Sequence, residues 1–495
     1  MIPYRLHKNR RITHRLAWWA AALLLTPALT LAAAGGQDGK SLGELLPLWS
    51  TIPFVGILLS IAIMPLVAPA FWHHHFGKLS AAWALIFALP FLVVYRGEAF
   101  HEIVHIIVVD YIPFIIVLWG LFTIGGGIVV RGRLVGTPLV NTVLLLIGTL
   151  LASWVGTTGA AMLLIRPVMR ANAWRHSKQH IIIFFIFLVA NIGGSLTPLG
   201  DPPWLLGFIH GVPFFWTLGL FPQMALVVFI LLAVFYLLDS YMLKKDGQTP
   251  PPNDGSDPVR LEGVHNFIFL GGVLLLVLMS GTVELPSVSI LGVLVPWQDI
   301  IRNLGIIVML WLSLRTTSHE LRKANDFTWD PILEVAYLFA GIFITIIPAL
   351  IILRAGSKGV MGAFIDAVEA PWQYFWATGI LSSFLDNAPT YLTFFNTALG
   401  KLHLTEAQAG DFLAGVAFEG DLLVRLQSFE VMLTAISIGA VFMGAMTYIG
   451  NAPNFMVRSI AEENNIKMPS FFGFMAWSVT ILIPVFILVT IIFMR

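Results

Sequence analysis

The sequence predicts an all-α polytopic membrane protein. It would have about 10–11 transmembrane helices, two re-entrant hairpins and an inverted-topology repeat with two broken helices. Three observations predict this. Of 495 residues, 58% are hydrophobic and only 11% charged, and mean hydropathy is +0.85, more apolar surface than a soluble core of this length needs. One stretch is used twice: Gly194-Ser-Leu-Thr197-Pro-Leu-Gly200-Asp201-Pro-Pro203 and Gly444-Ala-Met-Thr447-Tyr-Ile-Gly450-Asn451-Ala-Pro453 both read Gly-x-x-Thr-x-x-Gly-x-x-Pro inside apolar runs. The third observation is the distribution of Lys and Arg among the loops.

Residues 1–34 open with Arg5, Lys8, Arg10, Arg11 and Arg15, continue apolar and end in small residues. That is the layout of a secretory signal peptide, or equally of an uncleaved first transmembrane helix. Embedded spans follow at about 50–70, 79–95, 104–130, 138–168, 180–209, 220–243, 264–283, 298–314, 332–353, 372–400, 428–457 and 470–494. Two of these, about 138–168 and 372–400, carry polar and helix-breaking residues at their middles and read as hairpins that enter and leave on one side.

Charge supports the count. With residues 36–48 outside, inside loops hold Lys78, Arg131, Arg133, Arg166, Arg170, Arg175, Lys178, Lys244, Lys245, Arg260, Arg315, Arg322, Lys323, Arg458 and Lys467. Outside loops hold Lys40, Arg96, Arg354, Lys358, Lys401, Arg425 and Arg495. The bias is about two to one for this orientation.

The polar, Pro-rich stretch 244–262 reads as a mobile cytoplasmic linker between halves 50–243 and 263–494. Residues 401–427 mix apolar and charged positions and predict an interfacial amphipathic helix.

Each half orders a hairpin before a broken helix: about 138–168 then 180–209, and about 372–400 then 428–457. In an ungapped register Ser153 meets Ser383, Gly156 meets Asp386 and Thr157 meets Asn387. Glycine frees the backbone and proline removes a donor, so Gly194, Gly200, Gly444 and Gly450 mark breaks. At membrane depth an opened backbone is tolerated only against protein or a watery cavity, and matched breaks in two halves point to a secondary transporter's binding site. Candidate ion or substrate ligands are Asp201, Asp386, Asn387, Thr157, Thr158, Ser153, Ser383, Asn191, Thr197, Thr390, Thr447 and Asn451.

A carboxylate at that depth costs several kcal/mol without a partner or a function. Asp201 and Asp386 can each bind a cation when ionised or a proton when not; the plainer reading is that each caps a neighbouring helix. Asp110 joins a proton path or sits at the outer interface. His73-His74-His75, on a loop between spans, reads as a solvated cluster before it reads as a zinc site.

A net charge of +1 gives no case for nucleic acid, and the absence of cysteine excludes disulfides, iron–sulfur clusters and thiolate nucleophiles. Enzyme motifs such as a phosphate-binding glycine loop or His-Glu-x-x-His are absent, so the chain reads as no enzyme and needs no cofactor.

Asn191-Ile-Gly-Gly194 through Pro198-Leu-Gly200-Asp201, with Ser383-x-x-Asp386-Asn387-x-Pro389, resembles the ion transporter superfamily, in particular NhaD-type sodium/proton antiporters and the related citrate transporters. The specific motifs cover about a tenth of the chain. Departures are visible: the first hairpin tip lacks an acid, and neither tip carries the Ser-Asn-Thr signature of dicarboxylate carriers. The Pro202-Pro203 and Ala452-Pro453-Asn454 turns, however, are more similar to those carriers. The resemblance implies Na⁺ or Li⁺ exchanged for H⁺ by alternating access, with Na⁺ held at Asp201, Asp386 and Asn387. The alternative is a Na⁺- or H⁺-coupled citrate or dicarboxylate transporter. It also implies a multi-pass protein of a bacterial inner membrane, with lipid and transported ions as its partners and a homodimer as the expected assembly.

Overall fold

The structure, a computed structural model, describes residues 41–132, 134–251, 258–325 and 327–494. The expected signal peptide or first helix at 1–34 lies outside the described residues. The main helices are α1 Ile52–Val67, α2 Pro69–His105, α3 Ile112–Gly125, α4 Pro138–Val155, α5 Thr157–Ala171, α6 Gln179–Leu188, α7 Pro202–Ile209 and α8 Phe221–Asp246. The second half adds α9 Asn266–Thr282, α10 Trp297–Thr316, α11 Asp330–Arg354, α12 Pro371–Phe384, α13 Asn387–Leu402, α14 Glu406–Leu413, α15 Gly420–Met443, α16 Ala452–Glu463 and α17 Phe471–Phe493. Two small antiparallel ribbons are the only sheet among the described residues. Among the described residues, seven helical stretches are long and apolar enough to cross a membrane. The chain is an all-α polytopic membrane protein.

Starts and stops follow local chemistry. Proline occupies the first turn of α4, α7, α11, α12 and α16, where a missing N–H costs nothing. The Thr137 hydroxyl caps α4, and Ser470 caps α17.

Several boundaries differ from the sequence reading. Helix α2 begins at Pro69, about ten residues early, and is kinked at Arg96 (φ 45, ψ −107), beside Gly97. His73, His74 and His75 therefore lie in helix α2, not on a loop; His75 stacks on Phe71 and His74 Nδ1 meets the Ala70 carbonyl at 2.8 Å. The linker is partly ordered: β2 (Arg260–Glu262) pairs with β1 (Val129–Arg131), and Arg131 meets Glu262 at 2.8 Å. The amphipathic segment 401–427 contributes only α14; Asp421 and Arg425 belong to α15, which starts at Gly420.

Helices α5, α6, α13 and α15 form the centre. Helix α6 is buried over His180–Leu188, and α13 over Asn387–Tyr391. Helix α11 packs along α2, while α15 packs between α12 and α13. The foot of the first hairpin is pinned by a buried cluster: Asp239 on α8 meets Arg175 at 2.6 Å, His180 at 2.7 Å and Asn141 at 3.0 Å.

Candidate functional site

Both hairpins are helix–turn–helix units whose turns meet the two breaks. In the first, Gly156 joins α4 to α5 at φ +82, a conformation that favours glycine. In the second, Asp386 holds the equivalent place at φ −56 and caps α13, its carboxylate accepting from Ala388 N at 3.0 Å. The capping reading of Asp386 is thus what its side chain does locally.

The two breaks share one set of bonds. The Thr197 hydroxyl donates to the Ser153 carbonyl and accepts from Leu199 N at 3.2 Å. The Thr447 hydroxyl donates to the Ser383 carbonyl and accepts from Ile449 N at 3.2 Å. Ser153 Oγ reaches the Gly193 carbonyl, and Ser383 Oγ the Met443 carbonyl at 3.1 Å. Hydroxyls thereby satisfy backbone groups that an unbroken helix would pair for itself.

The glycines are needed for close approach. A Cβ on Gly200 would lie 2.1 Å from the Gly194 carbonyl oxygen, and one on Gly450 would lie 2.5 Å from that of Gly444.

Asp201, at the N-cap of α7, is the hub. Its Oδ1 accepts from Thr157 Oγ1 at 2.8 Å and Asn451 Nδ2 at 2.9 Å, and its Oδ2 accepts from Asn387 Nδ2. These donors come from the first hairpin, the second break and the second hairpin, so one carboxylate ties the halves together. Asn451 also donates to the Ala190 carbonyl at 3.1 Å, and Asn191 to Asn454 Oδ1 at 2.7 Å. Asp201 is 2% exposed, and Asn191, Asn387 and Asn451 are 1% or less. The amide oxygens of those three asparagines have no hydrogen-bond partner. Buried oxygens in that state, beside carboxylates, are the donor set a hard cation takes. Among the described residues no cluster of three His, Cys, Asp or Glu suits a softer metal.

Four half-helices, α5, α7, α13 and α16, start at this point, so four positive helix ends converge on it. A cavity of about 580 Å³ reaches it, with Thr157, Thr158, Asp201, Asp386 and Asn451 in its wall. Farther along, the wall carries Arg166, Asp330, Glu334 and Glu463. This is the face of the Arg-rich loops 166–178 and 315–323.

Of the sequence candidates, Asp201, Asn387, Asn451 and Thr157 are directly bonded, and Asp386 and Thr158 share their cavity. Ser153, Ser383, Thr197, Thr447 and Thr390 bond to backbone carbonyls and shape the turns. Asn454 went unread as a ligand, although it donates to the Gly444 and Thr447 carbonyls at 2.9 Å each. Its signal was the Ala452-Pro453-Asn454 turn.

A second cluster was not foreseen. Asp110, in a π-helical turn (Ile106–Tyr111), is 2% exposed and faces His210 Nε2 at 3.2 Å; His210 Nδ1 meets Glu406 at 3.0 Å. Arg354 joins Glu406 to Asn396. Burial pushes the Glu406 carboxyl up, but His210 and Arg354 outweigh it and hold it at about 2. Burial likewise pushes His210 down, yet Glu406 and Asp110 raise it to about 10.

Residues 43–494 match the family model described as "Putative citrate transport". The chain belongs to this family. Membership in the citrate-transport family makes it a multi-pass secondary transporter of citrate-transporter type. Among curated proteins, none matches.

Proposed function

We propose that the protein is a secondary carrier for citrate or a related carboxylate, coupled to Na⁺ or H⁺ and working by alternating access. The observation that carries the reading is the pairing of opposites at one point. Four helix N-termini face a site that holds two acids, Asp201 and Asp386. With those acids neutralised by a coupling cation or proton, the helix ends are left to attract an anion. The family description supports the same substrate class.

In this cycle the coupling ion binds first. Asp201 supplies the charge, and the unpartnered oxygens of Asn191, Asn387 and Asn451 supply neutral ligands. The carboxylate substrate then enters the cavity beside Asp386. Movement of the half-helices against α2, α3 and α11 exposes the loaded site to the other face.

A second reading, exchange of Na⁺ or Li⁺ for H⁺, is favoured by the cavity wall. Asp201, Asp386, Asp330, Glu334 and Glu463 face it, against Arg166 as its single Lys or Arg among the described residues. Such a wall concentrates cations.

Proteoliposomes separate the two. Uptake of labelled citrate driven by an inward Na⁺ or H⁺ gradient supports the carrier. Collapse of an imposed ΔpH by Na⁺ or Li⁺, with no citrate counterflow, replaces it with the antiporter.

A further inference from the structure

Helix α7 is eight residues long, with Asp201 at its N-cap and His210 at its C-cap. One end is therefore the hub of the candidate ion site and the other lies in the second charged cluster. The cavity wall includes Asp201, Pro202 and Leu205 from the N-terminal end of α7, but not His210, Asp110 or Glu406 at its other end.

Its members come from two groups of helices. Asp110 belongs to the turn between α2 and α3, and Arg354 ends α11, which packs along α2. His210 belongs to α7, Asn396 to α13 and Glu406 to α14, elements that follow directly from the first break and the second hairpin. Both imidazole nitrogens face carboxylates, and the side chain is 4% exposed. A neutral ring can donate to Glu406 but carries no charge for Asp110, so only the imidazolium attracts both acids. The Asp110 contact is close but too bent for a hydrogen bond, so it acts through charge. Titratable and charged groups around the ring are Asp110 from the π turn and Glu406 from α14. Arg354 from α11 and His105 from α2 act in turn on Glu406.

We infer that His210 is a positioning residue for alternating access: its imidazolium clasps Asp110 and Glu406 and holds α7, with Asp201 on its other end, in the state closed on this face and open on the other. This rests on the proposal that the chain is an alternating-access transporter, but on neither choice of substrate. Each cycle must break the clasp, so its strength sets how long the cavity stays open to the Arg-rich face.

The native chain has no cysteine, which makes the test direct. Ser459→Cys puts one thiol in the cavity wall. In vesicles exposing the Arg-rich face, a membrane-impermeant maleimide reads how often the cavity is open there. His210→Gln and Asp110→Asn should each slow labelling at least fivefold, and His210→Arg, which keeps the charge, should stay within twofold of the parent. Unchanged labelling in His210→Gln overturns the clasp. Equal slowing in His210→Gln and His210→Arg also overturns it, since packing and not charge would then be at work. Citrate and Na⁺ flux measured on the same vesicles report separately on the substrate: a parent that labels and responds as stated but moves neither solute defeats both substrate readings and leaves the clasp standing.

Discussion

Asp201→Asn removes one charge and almost no volume. The carboxylate accepts from Thr157 and Asn451 on Oδ1 and from Asn387 on Oδ2. An asparagine there keeps the first two bonds by placing its oxygen at Oδ1. Its amide nitrogen then faces the Asn387 amide nitrogen, donor against donor. Asn387 has a remedy: its Oδ1 is unpartnered, so turning its amide over restores an acceptor. The net structural cost is about 1 kcal/mol, one ordinary hydrogen bond's worth. The electrostatic cost at the site is larger. A unit charge at about 4 Å in an effective dielectric of about 20 is worth about 4 kcal/mol, or roughly three orders of magnitude in cation affinity. Asp201→Asn should therefore insert and melt nearly as the parent does, yet show no Na⁺-dependent thermal stabilisation and no Na⁺- or ΔpH-driven citrate uptake. The assays are a Na⁺ titration of Tm in detergent and uptake in proteoliposomes. A variant whose Na⁺ midpoint and coupled uptake stay within threefold of the parent would refute the hub as the coupling site.

Gly200→Ala and Gly450→Ala should each prevent stable insertion, since a Cβ would lie 2.1 Å and 2.5 Å from a backbone oxygen, whereas Gly271→Ala, with nothing within 4 Å, should change melting little. Asp239→Asn strands Arg175, which is 2% exposed, and should cost about 3–5 kcal/mol, read as a large fall in Tm with the coupling-ion dependence of the surviving protein intact. Asp386→Asn should keep the α13 cap, because Asn caps as well as Asp; full transport by that variant would remove the Asp386 charge from the mechanism. The His210 contacts should stabilise fully below pH 6.5 and lose their effect as pH rises through about 10. The Tm advantage of the parent over His210→Gln should therefore shrink across that window; a constant gap would show that the charge on His210 contributes nothing.

What the sequence exposed was whatever needs special backbone. Gly200 and Gly450 announce themselves because a Cβ there would meet a backbone carbonyl at 2.1 and 2.5 Å, and Gly194 and Gly444 because they face those glycines across the same turns. Asp201 announces itself because an acid in an apolar run is costly. Its partners were legible because Thr157, Asn387 and Asn451 lie at the other chain breaks. The second cluster was silent for the opposite reason. His210 and Glu406 are 196 positions apart, the one a single imidazole in an apolar stretch and the other an acid in a segment that reads as an interfacial helix, where a charge needs no explanation. The turn at Arg96 was placed within a loop, but its shape was hidden, since an ordinary residue carries the positive φ. The short β1–β2 ribbon joins residues about 130 apart and leaves no periodicity to read.

The two halves differ most where charge is placed. Thr197 and Thr447, Ser153 and Ser383, and the glycine pairs do the same jobs in both. The acids do not match: Asp201 corresponds to Asn451 across the breaks, and Asp386 to Gly156 across the hairpin tips. A symmetric arrangement would place four carboxylates on one cavity, with mutual repulsion that burial would sharpen. One acid from each half instead leaves two, with the Asn451 amide opposite Asp201 and Gly156 opposite Asp386. The Asn451 amide donates to Asp201 where a second aspartate would repel it. Its free oxygen remains for a cation. The near-symmetry thus supplies the frame and the broken symmetry supplies the site, so Asn451→Asp should damage coupling as severely as Asp201→Asn while adding charge and not removing it.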